Sequence, residues 1–263
     1  MAAMNEFTNN INVRDASNPA NHLLIVVPAN NEQLTIENCL RHLLLSREQL
    51  SPLLKMRTHI VVVCDSCTDA TASLANDLLC PWRDSVVACQ FTNVGRARAL
   101  GAQVAWKMIE HESLRSDSVW YAFTDADTGV PADWLQRHLH HLQIGSHSAL
   151  GIVQIDSDDP VIRHHFDRDY QIKLHDTGHS HIHGANMGVR ADYYWAAGGF
   201  PALRAHEDRY LVHNLRAKGA RVMRDKHLIV TTSHRVVGRA PAGFAHHLRE
   251  LHQTISSLHA SPA

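Results

Sequence analysis

Residues 119–127 read Val-Trp-Tyr-Ala-Phe-Thr-Asp-Ala-Asp. The opening five are apolar, so the run has no solvent face and reads as a short strand buried on both sides, as strands are in a parallel sheet covered by helices. Carboxylates close it. Upstream the same arrangement recurs. Residues 23–27 (LLIVV), 60–64 (IVVVC) and 86–91 (VVACQF) are apolar runs rich in β-branched residues, and each runs into a polar or glycine-bearing turn. Those turns are Pro28-Ala29-Asn30-Asn31-Glu32, Asp65-Ser66-Cys67-Thr68-Asp69 and Asn93-Val94-Gly95-Arg96. A further apolar run lies at 150–153. Between the runs, apolar residues recur at helical spacing: Ile36, Leu40, Leu43 and Leu44; Ala75, Leu78 and Leu79; Ala97, Leu100, Gly101, Val104, Ala105 and Met108. Such stripes need a sheet to pack on. Strands alternating with helices imply right-handed crossovers and an α/β fold: a Rossmann-like, mostly parallel sheet with helices on both faces.

The second half is less regular. A helical stretch is expected over 160–175, then a His- and Gly-rich loop, a strand over 186–189, a short helix over 191–197 and a break at Gly198-Gly199. A helix over 206–218 follows, with Leu211 and Leu215 inward and Gly219 placed to cap its C-terminus. These elements complete the same sheet, and residues 238–263 read as a tail. Lys+Arg is 25 and Asp+Glu 26, for a net charge of -1 over 263 residues, which gives no reason to expect nucleic-acid or anionic-membrane partners. No apolar run approaches the ~20 residues that span a bilayer, and residues 1–21 lack the basic start and apolar stretch of a secretory signal. A cytoplasmic protein with no transmembrane segment is expected. The five cysteines read as reduced thiols, and Cys64-x-x-Cys67 lacks the second pair that a structural zinc site requires.

In open α/β sheets, ligands bind at the carboxyl ends of the strands. Asn31, Thr68 and Asp69 are also good helix caps. Capping does not explain Asp125 and Asp127, which Pro131 separates from the next helix. Residues at i and i+2 of an extended segment face one side, and two carboxylates there repel unless a cation sits between them. Mg2+ and Mn2+ take oxygen ligands and share their shell with substrate phosphates. The dinucleotide, P-loop, nucleophile-elbow and zincin motifs are all missing from the sequence.

Residues 24–32 (LIVVPANNE), 61–71 (VVVCDSCTDAT), 93–99 (NVGRARA), 123–127 (FTDAD), 184–200 (GANMGVRADYYWAAGGF) and Glu207-Asp208 resemble, in order and spacing, the family 2 glycosyltransferases of the GT-A fold. The resemblance covers residues 23–235. It implies a GT-A domain over 22–235, with a nucleotide-binding half at 22–130 and an acceptor half at 131–235. A flexible tail at 1–21 and another at 236–263 would flank it. By resemblance, Pro28, Ala29 and Glu32 line the nucleotide pocket, Asp65 meets the base, and Asn93 and Arg96 flank base and ribose. Asp125 reaches ribose or metal, Ala126 lies beside the donor, and Asp127 binds the metal. Gly198, Gly199 and Phe200 shape the acceptor side. Asp208 is the general base with Glu207 beside it. Residues 232–235 resemble a late segment that closes over the donor phosphates, where His234 completes the metal shell. Cys64 departs from the pattern, because many relatives carry an acid there. The lack of a membrane helix departs from the polymer synthases of the family.

The implied reaction is an inverting, Mn2+- or Mg2+-dependent transfer from a nucleotide-sugar donor, UDP-sugar ahead of GDP-sugar, to an acceptor hydroxyl of unknown class. Three other readings stand beside it. Glu207 and Asp208 are also what a helix N-terminus favours. The chain has 22 histidines, and His175, His179, His181 and His183 could make a metal-binding or hydrolytic centre; alternatively their loop borders the acceptor pocket through His183. A sugar nucleotidyltransferase uses a similar sheet, but opens with a Gly-rich, basic first loop that residues 28–32 do not supply.

Overall fold

The computed structural model describes residues 21–112, 114–156, 174–175, 178–203 and 205–233. The strands are β1 (His22–Ala29), β2 (Thr58–Asp65), β3 (Ser85–Cys89), β4 (Val119–Phe123), β5 (Thr128–Gly129), β6 (Ser148–Asp156), β7 (Leu174–His175), β8 (Gly178–His179), β9 (Met187–Arg190) and β10 (Val222–Ser233). The α-helices are α1 (Ile36–Glu48), α2 (Pro52–Met56), α3 (Thr71–Leu78), α4 (Val94–Ile109), α5 (Trp134–Gln143), α6 (Ala191–Ala196) and α7 (Glu207–Ala217). The main sheet runs β3-β2-β1-β4-β9-β6-β10-β5. β1, β2, β3, β4, β6 and β10 point one way, while β9 and β5 oppose them. The mostly parallel α/β sheet read from the sequence is the sheet of this chain.

The apolar runs owe their lack of a polar face to burial on both sides. Leu23, Ile25 and Val27 of β1 pack into a core shared with Ile36, Leu40 and Leu43 of α1, Ala75 of α3 and Trp134 and Leu135 of α5. The alternate residues Leu24 and Val26 pack into a second core with Ala97, Ala102 and Ala105 of α4, Tyr194 of α6 and Leu211 and Leu215 of α7. Each Val, Leu or Ile side chain so removed from water is worth about 2 kcal/mol.

Several boundaries moved for physical reasons. β3 stops at Cys89 rather than at Phe91, because Thr92 takes a positive φ of 49° and the chain there turns around Asp65. The long strand β10 was not legible, since its polar positions mask a period. Its pairing with β6 slips from Arg224↔Leu150 to Ile229↔Ile152. Asn186 fills that irregularity: its amide nitrogen donates to the carbonyls of Ile152 and Leu228, each at 2.8 Å, and its amide oxygen accepts from the Trp134 indole at 3.0 Å. The slip lets the end of β10 reach β5, where Thr232 pairs with Thr128.

Of the helix expected over 160–175, residues 157–173 lie outside the described residues. Leu174–His175 is a strand paired with Gly178–His179, so His175 does not end a helix. Apart from Asn21, the N-terminal tail lies outside the described residues, as does the C-terminal tail. Among the described residues no helix is long and apolar enough to cross a membrane.

Candidate active site

The turns after β1 and β2 are laced to each other. Asn30 Nδ2 donates to the carbonyl of Asp65 at 2.6 Å, Asn31 Oδ1 accepts from Thr68 N at 2.7 Å, and Glu32 N donates to Thr71 Oγ1 at 2.7 Å. Asn31 and Ser66 both hold positive φ, 53° and 58°. Left-handed backbone outside glycine is uncommon and gathers at functional sites. Pro28 and Ala29 are buried at the end of β1, and Glu32 is half-buried, taking the Thr35 hydroxyl at 2.8 Å. Cys67 Sγ accepts from Asn31 N at 3.3 Å. Cys64 is buried and its thiol is pushed up to about 12 by burial, with Cys67 adding to this, so it carries no charge at the end of β2.

Asp65 does something composition could not reveal. Its carboxylate accepts from the backbone N–H groups of Phe91 (2.6 Å), Thr92 (2.9 Å) and Asn93 (2.8 Å), and from Ser66 Oγ (3.1 Å). A carboxylate has about four acceptor sites, so these donors use most of its capacity. Burial raises its pKa, but the N–H bonds outweigh this and hold it below the ordinary value. Asp65 thus fixes the turn that delivers Asn93 and Arg96. Asn93 caps α4, its side chain accepting from Arg96 N at 2.9 Å. The exposed Arg96 guanidinium lies over the Phe91 ring at 4.0 Å, leaving a flat cationic platform at the rim. Gly95 is needed for close approach, since a Cβ there would run into the carbonyl oxygen of Pro201.

The acids after β4 part company. Thr128 N donates to the carbonyl of Asp125 at 3.1 Å, so residues 125–128 make a turn rather than an extended segment, and the two side chains do not share one face as expected. Asp125 meets Arg98 at 2.5 Å, and the other guanidinium nitrogen of Arg98 binds Glu207. Burial raises the Asp125 pKa and Arg98 opposes it. Asp127 turns to β10, accepting from Ser233 Oγ at 2.8 Å and Thr232 Oγ1 at 3.3 Å. Its carbonyl takes Ser233 N at 3.2 Å. Ala126 is buried between them.

Arg98 escaped the sequence reading. The available signal was a basic residue on the inner stripe of α4, four and seven positions before Ala102 and Ala105. It is only 3% exposed, and a Cβ on Gly184 would sit 2.5 Å from its Nη1. Gly184 N in turn donates to Asp208 Oδ2 at 2.9 Å, and Arg209 N to Asp208 Oδ1 at 2.7 Å. Glu207 is buried, Asp208 half-exposed, and both lie in the first turn of α7. His206 just before them holds φ 63° and makes no side-chain cap.

Gly198 and Gly199 take φ 85° and 67°, a pair of left-handed residues ending α6. The Phe200 ring is buried, 4.8 Å edge-on to Phe123, and packed in the core rather than presented at the surface. His183 is half-buried and stacks on His181 at 5.5 Å, which neighbours His179 at 5.8 Å. His179 Nε2 lies 2.9 Å from the carbonyl of Leu150. His234 lies outside the described residues.

Among the described residues no three His, Cys, Asp or Glu side chains converge as a ready metal cage. That does not count against Mg2+ or Mn2+, which bind through one or two carboxylates with substrate phosphates completing the shell. Asp127, beside the rotatable hydroxyls of Thr232 and Ser233, is an all-oxygen donor set that fits such an ion, with Asp125 one turn away.

The sequence matches the family model described as Glycosyl transferase family 2 over residues 24–198, more than half of the chain. No curated protein matches it. Solved structures share its fold. TarS 1-349 from S. aureus superposes with a TM-score of 0.58 at 13% identity, covering 81% of this chain and 60% of that one. The mannosyltransferase PcManGT from Pyrobaculum calidifontis, in complex with GDP-Man and Mn2+, gives 0.58 at 16% identity, covering 98% and 70%. GalNAc-T7 with UDP, GalNAc and Mn2+ gives 0.59 at 11%, covering 81% and 44%. The chain thus spans about 60% of the TarS fragment.

Proposed function

The chain belongs to glycosyl transferase family 2, and on that premise we propose that it moves a sugar from a nucleoside-diphosphate donor to an acceptor hydroxyl with inversion, with Asp208 as general base and Mn2+ or Mg2+ as cofactor. One observation carries this reading: carboxylates from two separate elements, Asp125 after β4 and Glu207 on α7, meet on the single cation Arg98 at the carboxyl rim of the sheet, with Asp208 beside them. A helix N-terminus alone would account for Glu207 and Asp208, but not for their being drawn to the end of β4.

The proposed division of labour takes its roles from the family resemblance. Residues 22–130 would hold the nucleotide: Pro28, Ala29 and Glu32 line its pocket, Asn93 and Arg96 flank the base and ribose, and Asp65 acts on them mainly through the 91–93 turn. Asp127, with Asp125, would hold the divalent ion. When bound, that ion neutralises charge growing on the diphosphate leaving group. On the acceptor half, residues 131–235, the Gly198-Gly199 turn and His183 border the entering hydroxyl. Backbone N–H groups of Gly184 and Arg209 orient the Asp208 carboxylate. Its remaining lone pairs would take the acceptor proton as the oxygen attacks opposite the leaving diphosphate. The solved relatives with bound UDP, or with GDP-Man and Mn2+, support the donor class; UDP is placed ahead of GDP on the family resemblance alone.

A melting series with UDP and GDP, each with Mn2+ or with a chelator, tests the reading. A ligand at a hundred times its Kd adds about 2.7 kcal/mol to native stability, and a rise of several degrees is expected for one nucleotide only when Mn2+ is present. No metal-dependent rise with either nucleotide would overturn it.

A further inference from the structure

The Arg98 guanidinium is buried among the acids of the site, only 3% exposed. One nitrogen meets Asp125, another meets Glu207, Phe200 lies 5.6 Å from its centre, and Gly184 leaves it room. Asp125 follows β4 and opens the turn that would bind the metal. Glu207 begins the helix that carries Asp208. A guanidinium keeps its charge at neutral pH, and Asp125 and Glu207 are the carboxylates that partner it. Arg98 lacks the exposure a group touching donor or acceptor would need.

We propose that Arg98 is the positioning residue of the active site, a planar two-pronged clamp that holds the metal-side acid and the base-bearing helix at fixed separation. Guanidinium suits this task because its fork offers parallel N–H groups to two carboxylates at once, which a lysine ammonium cannot match in geometry. The inference rests on the transferase reading above and deepens it: donor and acceptor halves are registered to each other through one side chain. Glu207 serves the acceptor arm of the clamp and Asp125 the donor arm, so the two arms can be cut separately.

The test compares wild type with Arg98→Lys and Glu207→Gln, using Mn2+ with UDP and with GDP as binding probes and release of nucleoside diphosphate from UDP-glucose or GDP-mannose as turnover. Glu207→Gln keeps the Arg98–Asp125 bond, so its Mn2+–nucleotide affinity should stay within about threefold of wild type while kcat falls at least tenfold. Arg98→Lys keeps the buried charge but loses the fork, so both Mn2+–nucleotide affinity and kcat should fall at least tenfold in protein that still melts cooperatively. Should Arg98→Lys fail to fold, Arg98→Met combined with Glu207→Gln removes the clamp without leaving Glu207 charged, and should show the same double loss. A purely structural Arg98 would lower the melting temperature and leave both readouts intact in the folded variants, and that result overturns the proposal. Wild type that binds neither nucleotide with Mn2+ overturns the transferase reading itself, independently of the variants.

Discussion

At the scale of single residues, similar acids have different surroundings and so different expected consequences. Asp208 accepts the backbone N–H groups of Gly184 and Arg209 on its two oxygens, so Asp208→Asn keeps the size of the side chain and one of these bonds while removing basicity. Turnover should fall by about 10²–10⁴-fold, the usual worth of a general base, while the melting shift produced by nucleotide and Mn2+ stays as in wild type. Unchanged turnover would dismiss the assignment. Asp127→Ala should instead abolish the metal-dependent part of that shift, because the hydroxyls of Thr232 and Ser233 carry no charge to hold a divalent ion; calorimetry with Mn2+ and nucleotide decides this. Asp65 shows the limit of residue-type reasoning. Its acidity was legible, but its use as a hub for the N–H groups of Phe91, Thr92 and Asn93 depends on β3 pairing beside β2.

At the scale of elements, the rim depends on how strands and helices are pinned. Asn186 has three bonds across the β6–β10 irregularity. Asn186→Ala leaves two carbonyls and an indole N–H buried without partners, at about 1–3 kcal/mol each. A loss of about 3 kcal/mol, or roughly 6–12 °C in Tm for a chain of this size, is expected in thermal unfolding. Nucleotide-dependent stabilisation should weaken too, because the slip is what carries Thr232 and Ser233 to Asp127. Gly95→Ala forces the first turn of α4 away from Pro201, in the segment that leads to Glu207 and Asp208. Turnover and nucleotide affinity should both drop in that variant, and wild-type values of either in steady-state kinetics would contradict this coupling. The helices on the sheet were legible because their apolar stripes have a period. β10 was not, because its inner and outer residues follow a bent path around Asn186.

At the scale of the whole molecule, the histidines shape stability more visibly than chemistry. His138 is buried, accepts the Trp120 indole N–H at 3.1 Å, and has its pKa lowered to about 3 by burial. His59 and His179 are lowered too, first by burial. A histidine kept neutral in the native state binds its proton only on unfolding, so stability falls as pH drops below the unfolded pKa near 6.5. At pH 5, His138 alone should account for about 2 kcal/mol. Asp225, lowered to about 2 against burial by its bonds to His141 and His227, keeps its stabilising effect above its unfolded pKa and loses it only as pH falls below about 4 and through 2. Urea unfolding should therefore show stability declining from pH 6.5 to 5, before carboxylates titrate; a flat profile over that window would refute the account.

The sequence alone determined the β–α alternation, the mostly parallel sheet and the rim at which polar turns collect, because burial on both faces and helical periodicity are written in local runs of residues. It also marked Asp125, Asp127 and Asp208 as acids of interest. Only the tertiary structure decided how they are used. The turn at 125–128 splits the acid pair, Arg98 arrives from α4 to join Asp125 to Glu207, and the slipped end of β10 brings Ser233 to Asp127. These contacts connect residues about 27 to 109 positions apart. Pairing across such distances is set by packing of whole elements, and a linear pattern carries no record of it.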